Sequence, residues 1–138
     1  MITHVEHIGI AVADSGLSVE LFTRLLGKEP YKAEHVESEQ VKTVFFEVGQ
    51  TKLELLEATG EASAIARHLA TRGEGIHHIA LATDDLEAEL NRLTASGFEL
   101  IAPPKPGADG KRIAFLHPKG TNRVLVELCA DAASSCVA

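Results

Sequence analysis

The fold is decided by the stretch GIHHIALATDD, residues 75–85, because an earlier stretch of the chain repeats its pattern. Residues 6–15 read EHIGIAVADS. Both stretches carry a histidine, then alternate bulky and small apolar residues, and then reach an aspartate. Alternation with a period of two is typical of a β-strand whose two faces differ. The chain therefore contains two copies of one strand, and we expect the residues that follow to repeat as well.

A helical pattern follows each strand. Asp14 in the first copy and Asp84 or Asp85 in the second suit the helix N-cap, and Gly27 and Gly97 suit the helix C-terminus. Leucines at helical spacing predict the buried faces of these helices: Leu17, Leu21 and Leu25 in the first helix, and Leu86, Leu90 and Leu93 in the second.

Three short strand patterns come after each helix, so each copy reads as a β-α-β-β-β module. These patterns fall at roughly 29–36, 41–48 and 51–57 in the first copy, and at 98–102, 112–117 and 123–129 in the second. A Pro- and Gly-rich loop separates 102 from 112. We predict an α+β fold in which two homologous βαβββ modules form a curved, partly open barrel-like mixed sheet, with the helices on the outside.

The two modules fit within a single domain, since 138 residues is an ordinary length for one core. We place the domain at residues 1–130, with module one at about 3–58 and module two at about 75–130. A linker helix at about 61–72 joins them, with Ile65 and Leu69 at helical spacing. The small, polar tail at 131–138 is expected to fray.

The adjacent histidines His77 and His78 cannot share one role, because neighbouring strand residues point to opposite faces. Superposing the repeats aligns His78 with His7 and His77 with Glu6. Small residues share the face of each aligned histidine: Gly9 and Ala11 with His7, and Ala80 and Ala82 with His78. Such a face leaves room for a cavity, whereas the bulky face suits helix packing. We predict that His78 is functional and that His77 belongs to the scaffold.

The same superposition brings Glu54, in TKLELLE, close to Glu127, in RVLVELC. A single strand histidine is more often a hydrogen-bonded core residue than a ligand, and a strand glutamate usually faces solvent. Two of each, paired by an internal repeat, instead favour a metal site. Imidazole and carboxylate together suit a divalent ion such as Co, Ni, Mn or Zn. We predict that His7, Glu54, His78 and Glu127 hold this ion inside the curve of the sheet, with coordination positions open for substrate.

Composition excludes several classes of partner. The net charge of −7 argues against nucleic acid or an anionic membrane surface. No apolar run reaches the length of a membrane span, and the N-terminus MITHVEHIG does not have the pattern of a signal peptide. Cys129 and Cys136 do not make a disulfide framework, so we expect both to be reduced. These features predict a cytoplasmic protein or, as the alternative, the mature matrix form of an imported protein.

Several motifs resemble the methylmalonyl-CoA epimerases of the vicinal oxygen chelate superfamily, which also includes glyoxalase and bleomycin resistance proteins. They are HIGIAV, GIHHIAL, GADGKRIAFLHPKG and VLVEL, and the resemblance covers about residues 3–130. It implies epimerisation of methylmalonyl-CoA, between the 2R and 2S forms, by proton abstraction at C2 through a metal-stabilised enolate. It also implies cobalt as the first choice of metal and a homodimer.

Carried over by position, the resemblance places metal ligands at His7, His78 and Glu127, with Glu54 as a fourth ligand at a position that is glutamine in some members. Glu127 is the first choice for the catalytic base. Thr43 stands where some bacterial members have a glutamate proposed as a second base, and a threonine hydroxyl cannot serve as a base at neutral pH. Glu37 or Glu39 is an alternative source of that base.

Coenzyme A is anionic, so its binding calls for local positive charge. The segment 105–123 is locally basic, and we assign substrate binding to Lys111, Arg112 and Lys119. The alternative interpretation is that these are solvated loop charges. The alternative function is a glyoxalase I-type lactoylglutathione lyase, which has the same fold and a two-His, two-Glu site. A metal-free binding protein of this fold is a third class.

Overall fold

The computed structural model of the chain describes residues 1–132, which form two compact units. One unit comprises His7–His77, and the other comprises Met1–Glu6 with the residues from His78 onward. Three helices are present among these residues: α1 (Ser15–Leu26), α2 (Ala64–Arg72) and α3 (Leu86–Ala95). The strands are β1 (Ile2–Ala11), β2 (Lys32–Val36), β3 (Val41–Val48), β4 (Thr51–Ala58), β5 (Gly75–Thr83), β6 (Lys105–Pro106), β7 (Lys111–Leu116) and β8 (Val126–Asp131).

The His7–His77 unit has the strand order β2-β3-β4-β1. The second half of β1 runs parallel to β4, while β3 is antiparallel to both β2 and β4. Helix α1 begins after Asp14, whose carboxylate accepts a hydrogen bond from the Leu17 N–H at 3.2 Å. It ends at Gly27, whose φ of 71° is in the left-handed region that favours glycine. Both caps agree with the sequence prediction.

The predicted buried face of α1 is wrong. Leu17, Leu21 and Leu25 are 69%, 53% and 70% exposed. The helix instead packs through another apolar stripe against a core formed by β1, β3 and β4: Val19, Phe22 and Leu26 lie on Val12, Val44, Phe46 and Leu55. The sequence of α1 contains two apolar stripes, and the stripe that packs inward includes Phe22, the one aromatic residue of the helix. The leucine stripe is left facing solvent.

Helix α2, at the position of the predicted linker helix, packs within the same unit. Ser63 caps it, accepting a hydrogen bond from the Ile65 N–H at 3.0 Å. Ile65 and Leu69, the two residues at helical spacing, pack on Ala11 and Leu56.

The second unit has the strand order β5-β8-β7-β6, with β5 parallel to β8 and the other pairs antiparallel. Asp85 is the N-cap of α3 and accepts a hydrogen bond from the Ala88 N–H at 3.1 Å. The buried face of this helix is the predicted one. It packs against the sheet as a single cluster: Leu86, Leu90, Leu93, Ala114, Leu116 and Leu128.

Residues 98–102 do not form the predicted strand. Leu100 makes only an isolated bridge to Leu116, although the Ile101 N–H donates to the Phe115 carbonyl at 2.9 Å. A two-residue strand, β6, forms within the predicted loop and pairs with the start of β7. Proline at 103, 104 and 106 removes backbone donors, which explains why so little of this segment joins a ladder.

The predictions for the end of the chain fall mostly outside the described residues. Residues 133–138, most of the predicted tail and Cys136 among them, are not described. Cys129 is buried on β8, with its Sγ 3.7 Å from the Leu81 carbonyl oxygen. None of the helices in residues 1–132 combines the length and apolar character needed to cross a bilayer.

The expected α+β class is confirmed, and each unit carries one β-α-β-β-β order: β1-α1-β2-β3-β4 and β5-α3-β6-β7-β8. In both units the bulky face of the histidine-bearing strand packs on a helix. Ile10 lies against the α1 cluster and Leu81 against the α3 cluster. The opposite face is therefore the one that carries the histidine.

Candidate metal centre and active site

A buried histidine and a buried glutamate meet in the His7–His77 unit. The parallel register of β1 and β4 places Gly9 opposite Glu54, so His7, two residues before Gly9, shares the face of Glu54. The His7 Nδ1 lies 3.1 Å from the Glu54 Oε2. Both residues are 5% exposed. Glycine between them on this face leaves the space that the two side chains occupy.

The second unit repeats this pair in the same register. Ala80, two residues after His78, lies opposite Glu127 in the parallel pairing of β5 and β8. The His78 Nε2 lies 3.3 Å from the Glu127 Oε1, with exposures of 6% and 4%. His78 therefore lies beside a carboxylate, just as His7 does, and it is on the face of β5 that the repeat predicted.

A phenylalanine supports each glutamate from the neighbouring strand, a feature that the sequence interpretation missed. Phe45 is the antiparallel partner of Glu54, and Phe115 is the partner of Glu127. The Phe115 ring also meets the His78 imidazole edge to face, with the ring centroids 5.6 Å apart. An apolar ring on this side limits water around the carboxylate and restricts the imidazole rotamer. A search for the repeat in β3 and β7 could have found the pair.

The donor set fits a divalent metal ion. Nitrogen and oxygen ligands about 2.1 Å from an ion at adjacent octahedral corners are roughly 3.0 Å apart. The two His–Glu separations, 3.1 and 3.3 Å, are close to that value. Buried carboxylates are also costly unless a cation or a proton compensates their charge. Both pairs belong to groups of three buried His and Glu residues that could hold an ion.

His77 lies on the other face of β5 and packs against α2. Its ring meets the His68 ring edge to face, with the centroids 5.1 Å apart. Burial, with a smaller contribution from the nearby His68, lowers the pKa of His77 to about 4. Burial and the nearby Arg72 also lower the pKa of His68. Both imidazoles are therefore mostly neutral at pH 7, and the contact with His68 shows that His77 packs on α2.

Two further polar residues near the histidines are buried. Glu6, the residue before His7, is 3% exposed and belongs to the same group of candidate ligands as His7. The superposition of the repeats aligned it with His77 and gave it no role. Thr43 is 1% exposed and lies two residues before Phe45 on β3, on the face of Glu54. Glu37 and Glu39, the alternative bases, lie exposed in a short 3-10 turn after β2.

The predicted coenzyme A cations all have carboxylate partners. The Lys111 Nζ lies 2.6 Å from the Asp131 Oδ1, and the Lys119 Nζ lies 3.1 Å from the Glu99 Oε1. Arg112 pairs with Glu87. Exposed ion pairs of this kind are worth little, roughly 0–1 kcal/mol, so such a partner can be exchanged for a stronger anion.

Known proteins are similar to this chain in sequence and in fold. A family model described as the glyoxalase/bleomycin resistance protein/dioxygenase superfamily matches residues 6–115. The ethylmalonyl-CoA/methylmalonyl-CoA epimerase of Cereibacter sphaeroides is 37% identical over 131 residues, covering 93% of this chain and 98% of that enzyme. The chain belongs to the methylmalonyl-CoA epimerase family of this superfamily. The resemblance to these epimerases that the sequence motifs indicated is thereby confirmed.

Solved structures of epimerases agree in fold over nearly the whole chain. A variant of the Streptomyces coelicolor methylmalonyl-CoA epimerase in complex with 2-nitronate-propionyl-CoA has a TM-score of 0.91 at 37% identity. The match covers 96% of this chain and 97% of that one. A methylmalonyl-CoA epimerase in complex with methylmalonyl-CoA and NH4+ gives the same values. The predicted fold class is that of these epimerases.

Proposed function

We propose that this chain epimerises methylmalonyl-CoA at C2, interconverting the 2R and 2S forms. The observation that carries the proposal is the repeated His–Glu pair, buried in the same register on two parallel strand pairs. The Cereibacter sphaeroides relative and the solved epimerase structures bear the name of this activity, which supports the same reaction. Such a reaction removes a proton beside a thioester carbonyl and returns one to the opposite face.

We further propose that His7, Glu54, His78 and Glu127 together hold one divalent ion, with cobalt the first candidate and Ni, Mn or Zn the others. Two imidazoles and two carboxylates suit such ions. When bound, the ion would supply positive charge beside the thioester oxygen, where negative charge develops as C2 loses its proton.

Glu127 is the proposed base. Its carboxylate is 4% exposed and is flanked by His78 and Phe115, so the group is held in one orientation and kept from bulk water. A proton taken from C2 would rest on one of its oxygens. The positioning of that oxygen is the contribution of β8, whose register with β5 fixes the residue. Thr43 has no basic group, so it can position a substrate but cannot take the proton.

The reaction is tested by incubating a single epimer of methylmalonyl-CoA with the protein in D2O, with the metal removed and with cobalt restored. Proton NMR follows the C2–H signal, and chiral analysis follows the epimer ratio. We expect cobalt-dependent deuterium entry at C2 together with conversion toward an equal mixture. No deuterium entry with any of the four metals would refute the proposal. Thioester formation from methylglyoxal and glutathione would instead favour the lyase.

We propose that the chain is a homodimer and that a second copy covers the exposed leucine stripe of α1. An antiparallel pairing of two α1 helices about Leu21 would place Leu17 of each copy beside Leu25 of the other. The same pairing sets Asp14 opposite Lys28, so the charges at the ends of the stripe are complementary. Light scattering after gel filtration should show a dimer for the native chain and a monomer for Leu21→Glu. A control substitution on the exposed side of α2, Ala70→Glu, should leave the dimer intact, and a monomeric native chain would refute the proposal.

We propose the cytoplasm as its compartment, because two cysteines in 138 residues do not make the disulfide framework typical of small secreted domains.

A further inference from the structure

Arg123 has a backbone conformation that suits glycine. Its φ is 67°, and its neighbour Asn122 has a φ of 56°. Left-handed values are disfavoured for residues with a Cβ, with Asn among the more tolerant types and Arg not. Both residues are exposed, in the segment between the turn Pro118–Gly120 and the start of β8. Local strain of this kind is found disproportionately at functional sites.

The surrounding turn, not the arginine side chain, holds this conformation. The Arg123 N–H donates to the Pro118 carbonyl at 2.8 Å. The Val124 N–H donates to the Thr121 carbonyl at 3.0 Å, and the Thr121 hydroxyl donates back to the Val124 carbonyl at 2.5 Å. Residue 123 takes part in only one of these three bonds, and it does so through its backbone N–H, so glycine would satisfy that bond with less strain. The conformation therefore does not explain why an arginine stands here.

Arg123 differs from its basic neighbours in charge pairing. Its basic neighbours in the segment, Lys111, Arg112 and Lys119, each pair with a carboxylate. Among residues 1–132, no carboxylate forms an ion pair with the Arg123 guanidinium. A planar, always-charged fork of donors is thus presented to solvent, and it matches phosphate oxygens in geometry.

The position of Arg123 ties it to the candidate active site. It precedes Glu127 by four residues, so at most about 14 Å of backbone separates the two. The same segment runs beside β5, because the Ile79 N–H, next in the chain to His78, donates to the Leu125 carbonyl at 3.1 Å. An extended side chain from position 123 therefore starts at the end of the strand pair that carries His78 and Glu127.

We propose that Arg123 binds a phosphate group of the coenzyme A moiety. This rests on the proposed function, because it takes the substrate to be a coenzyme A thioester. The chain carries a net charge of −7, so a polyphosphorylated ligand needs a local cation, and one that pairs with no carboxylate of residues 1–132 can bind phosphate without giving up an ion pair. Arg123 is that cation, and its phosphate contact is the reason that the strained position is not glycine.

The test compares Arg123→Gly with Asn122→Gly, which relieves the same kind of strain without changing charge. Calorimetry with coenzyme A itself gives the dissociation constant, and steady-state epimerisation gives KM and kcat. For Arg123→Gly we expect a dissociation constant and a KM about tenfold higher, with kcat unchanged, as for a charged hydrogen bond that is equally strong before and during reaction. Its Tm should be unchanged or higher by up to about 4 °C, because strain is relieved. Asn122→Gly should leave both constants unchanged.

A methylmalonyl thioester of pantetheine, which lacks phosphate, separates this contact from other effects. The native chain and Arg123→Gly should use it with equal kcat/KM. Unchanged coenzyme A affinity in Arg123→Gly, or an equal loss in Asn122→Gly, would overturn the proposal. So would a native chain that does not bind coenzyme A. A native chain that binds coenzyme A but does not epimerise would refute the proposed function alone, and the calorimetric comparison would still decide the role of Arg123.

Discussion

Substituting Glu127 and Glu54 separately by glutamine should separate the base from the ligands. The two carboxylates form a matched pair: they lie opposite Ala80 and Gly9 in equivalent registers and are 4% and 5% exposed. Each also lies within 3.3 Å of a histidine nitrogen. A glutamine keeps the side-chain oxygen and the shape in both places, but it cannot accept a proton from C2. Any large difference between the two variants must therefore come from that chemistry.

The expected difference follows from the role of a base. General-base catalysis contributes about 10²–10⁴ in rate, so Glu127→Gln should lower kcat by about 10³, or about 4 kcal/mol of transition-state stabilisation. Glu54→Gln should stay within about tenfold of the native chain, since the lost charge affects the ion alone and the resemblance implies that glutamine is accepted there. Both variants should lose metal affinity to a similar extent, because their environments are equivalent.

Deuterium entry at C2 under saturating cobalt measures the chemical step, elemental analysis measures bound metal, and thermal unfolding reports stability. The reasoning would be refuted by equal losses of kcat in Glu54→Gln and Glu127→Gln at full metal occupancy. Activity of Glu127→Gln within tenfold of the native chain would also refute it.

Three further predictions concern the histidines and the metal. His78→Ala should abolish metal-dependent activity, whereas His77→Ala should mainly lower the free energy of unfolding, because it opens a gap beside α2. Equal loss of metal from both variants would contradict these separate roles. Lowering the pH from about 6.5 to about 4 should lower the Tm of the native chain more than the Tm of His77→Gln. The reason is that the pKa of His77 is depressed in the folded state, so the unfolded state binds the proton first as the pH falls. Parallel plots of Tm against pH for the two proteins would contradict this prediction. Removing the metal with a chelator should lower the Tm of the native chain, and added cobalt should restore that Tm, since an ion that binds only the folded state stabilises the folded state. A Tm that changes with neither treatment would contradict a bound ion.

The face alternation of the strands was predictable from the sequence. Strand periodicity is rigid, and the small residues Gly9 and Ala80 mark the histidine face in both copies of the repeat. That is why the structure finds Glu54 and Glu127 beside His7 and His78. The repeat could have identified Phe45 and Phe115 as equivalent residues, but not their pairing with Glu54 and Glu127, because cross-strand register depends on hairpin geometry that the sequence does not specify.

Helix α1 shows where periodicity is insufficient. Leu17, Leu21 and Leu25 form a regular stripe, but so do Val19, Phe22 and Leu26, and only the packing partner decides which stripe is buried. The interpretation of 98–102 as a strand failed for a related reason. Its apolar residues suit a strand, but the prolines at 103 and 104 cannot donate to a ladder, so the pairing with β7 does not extend past Ile101.

The central claim is that the two His–Glu pairs hold one ion together, and a cobalt titration of the metal-free chain tests it most directly. Spectroscopy and elemental analysis should give one cobalt per chain for the native protein. The binding should be lost in His7→Ala and equally in His78→Ala, although each substitution leaves the other pair intact. Two equivalents in the native chain, or one equivalent retained in either variant, would show that the pairs act separately and would contradict the account.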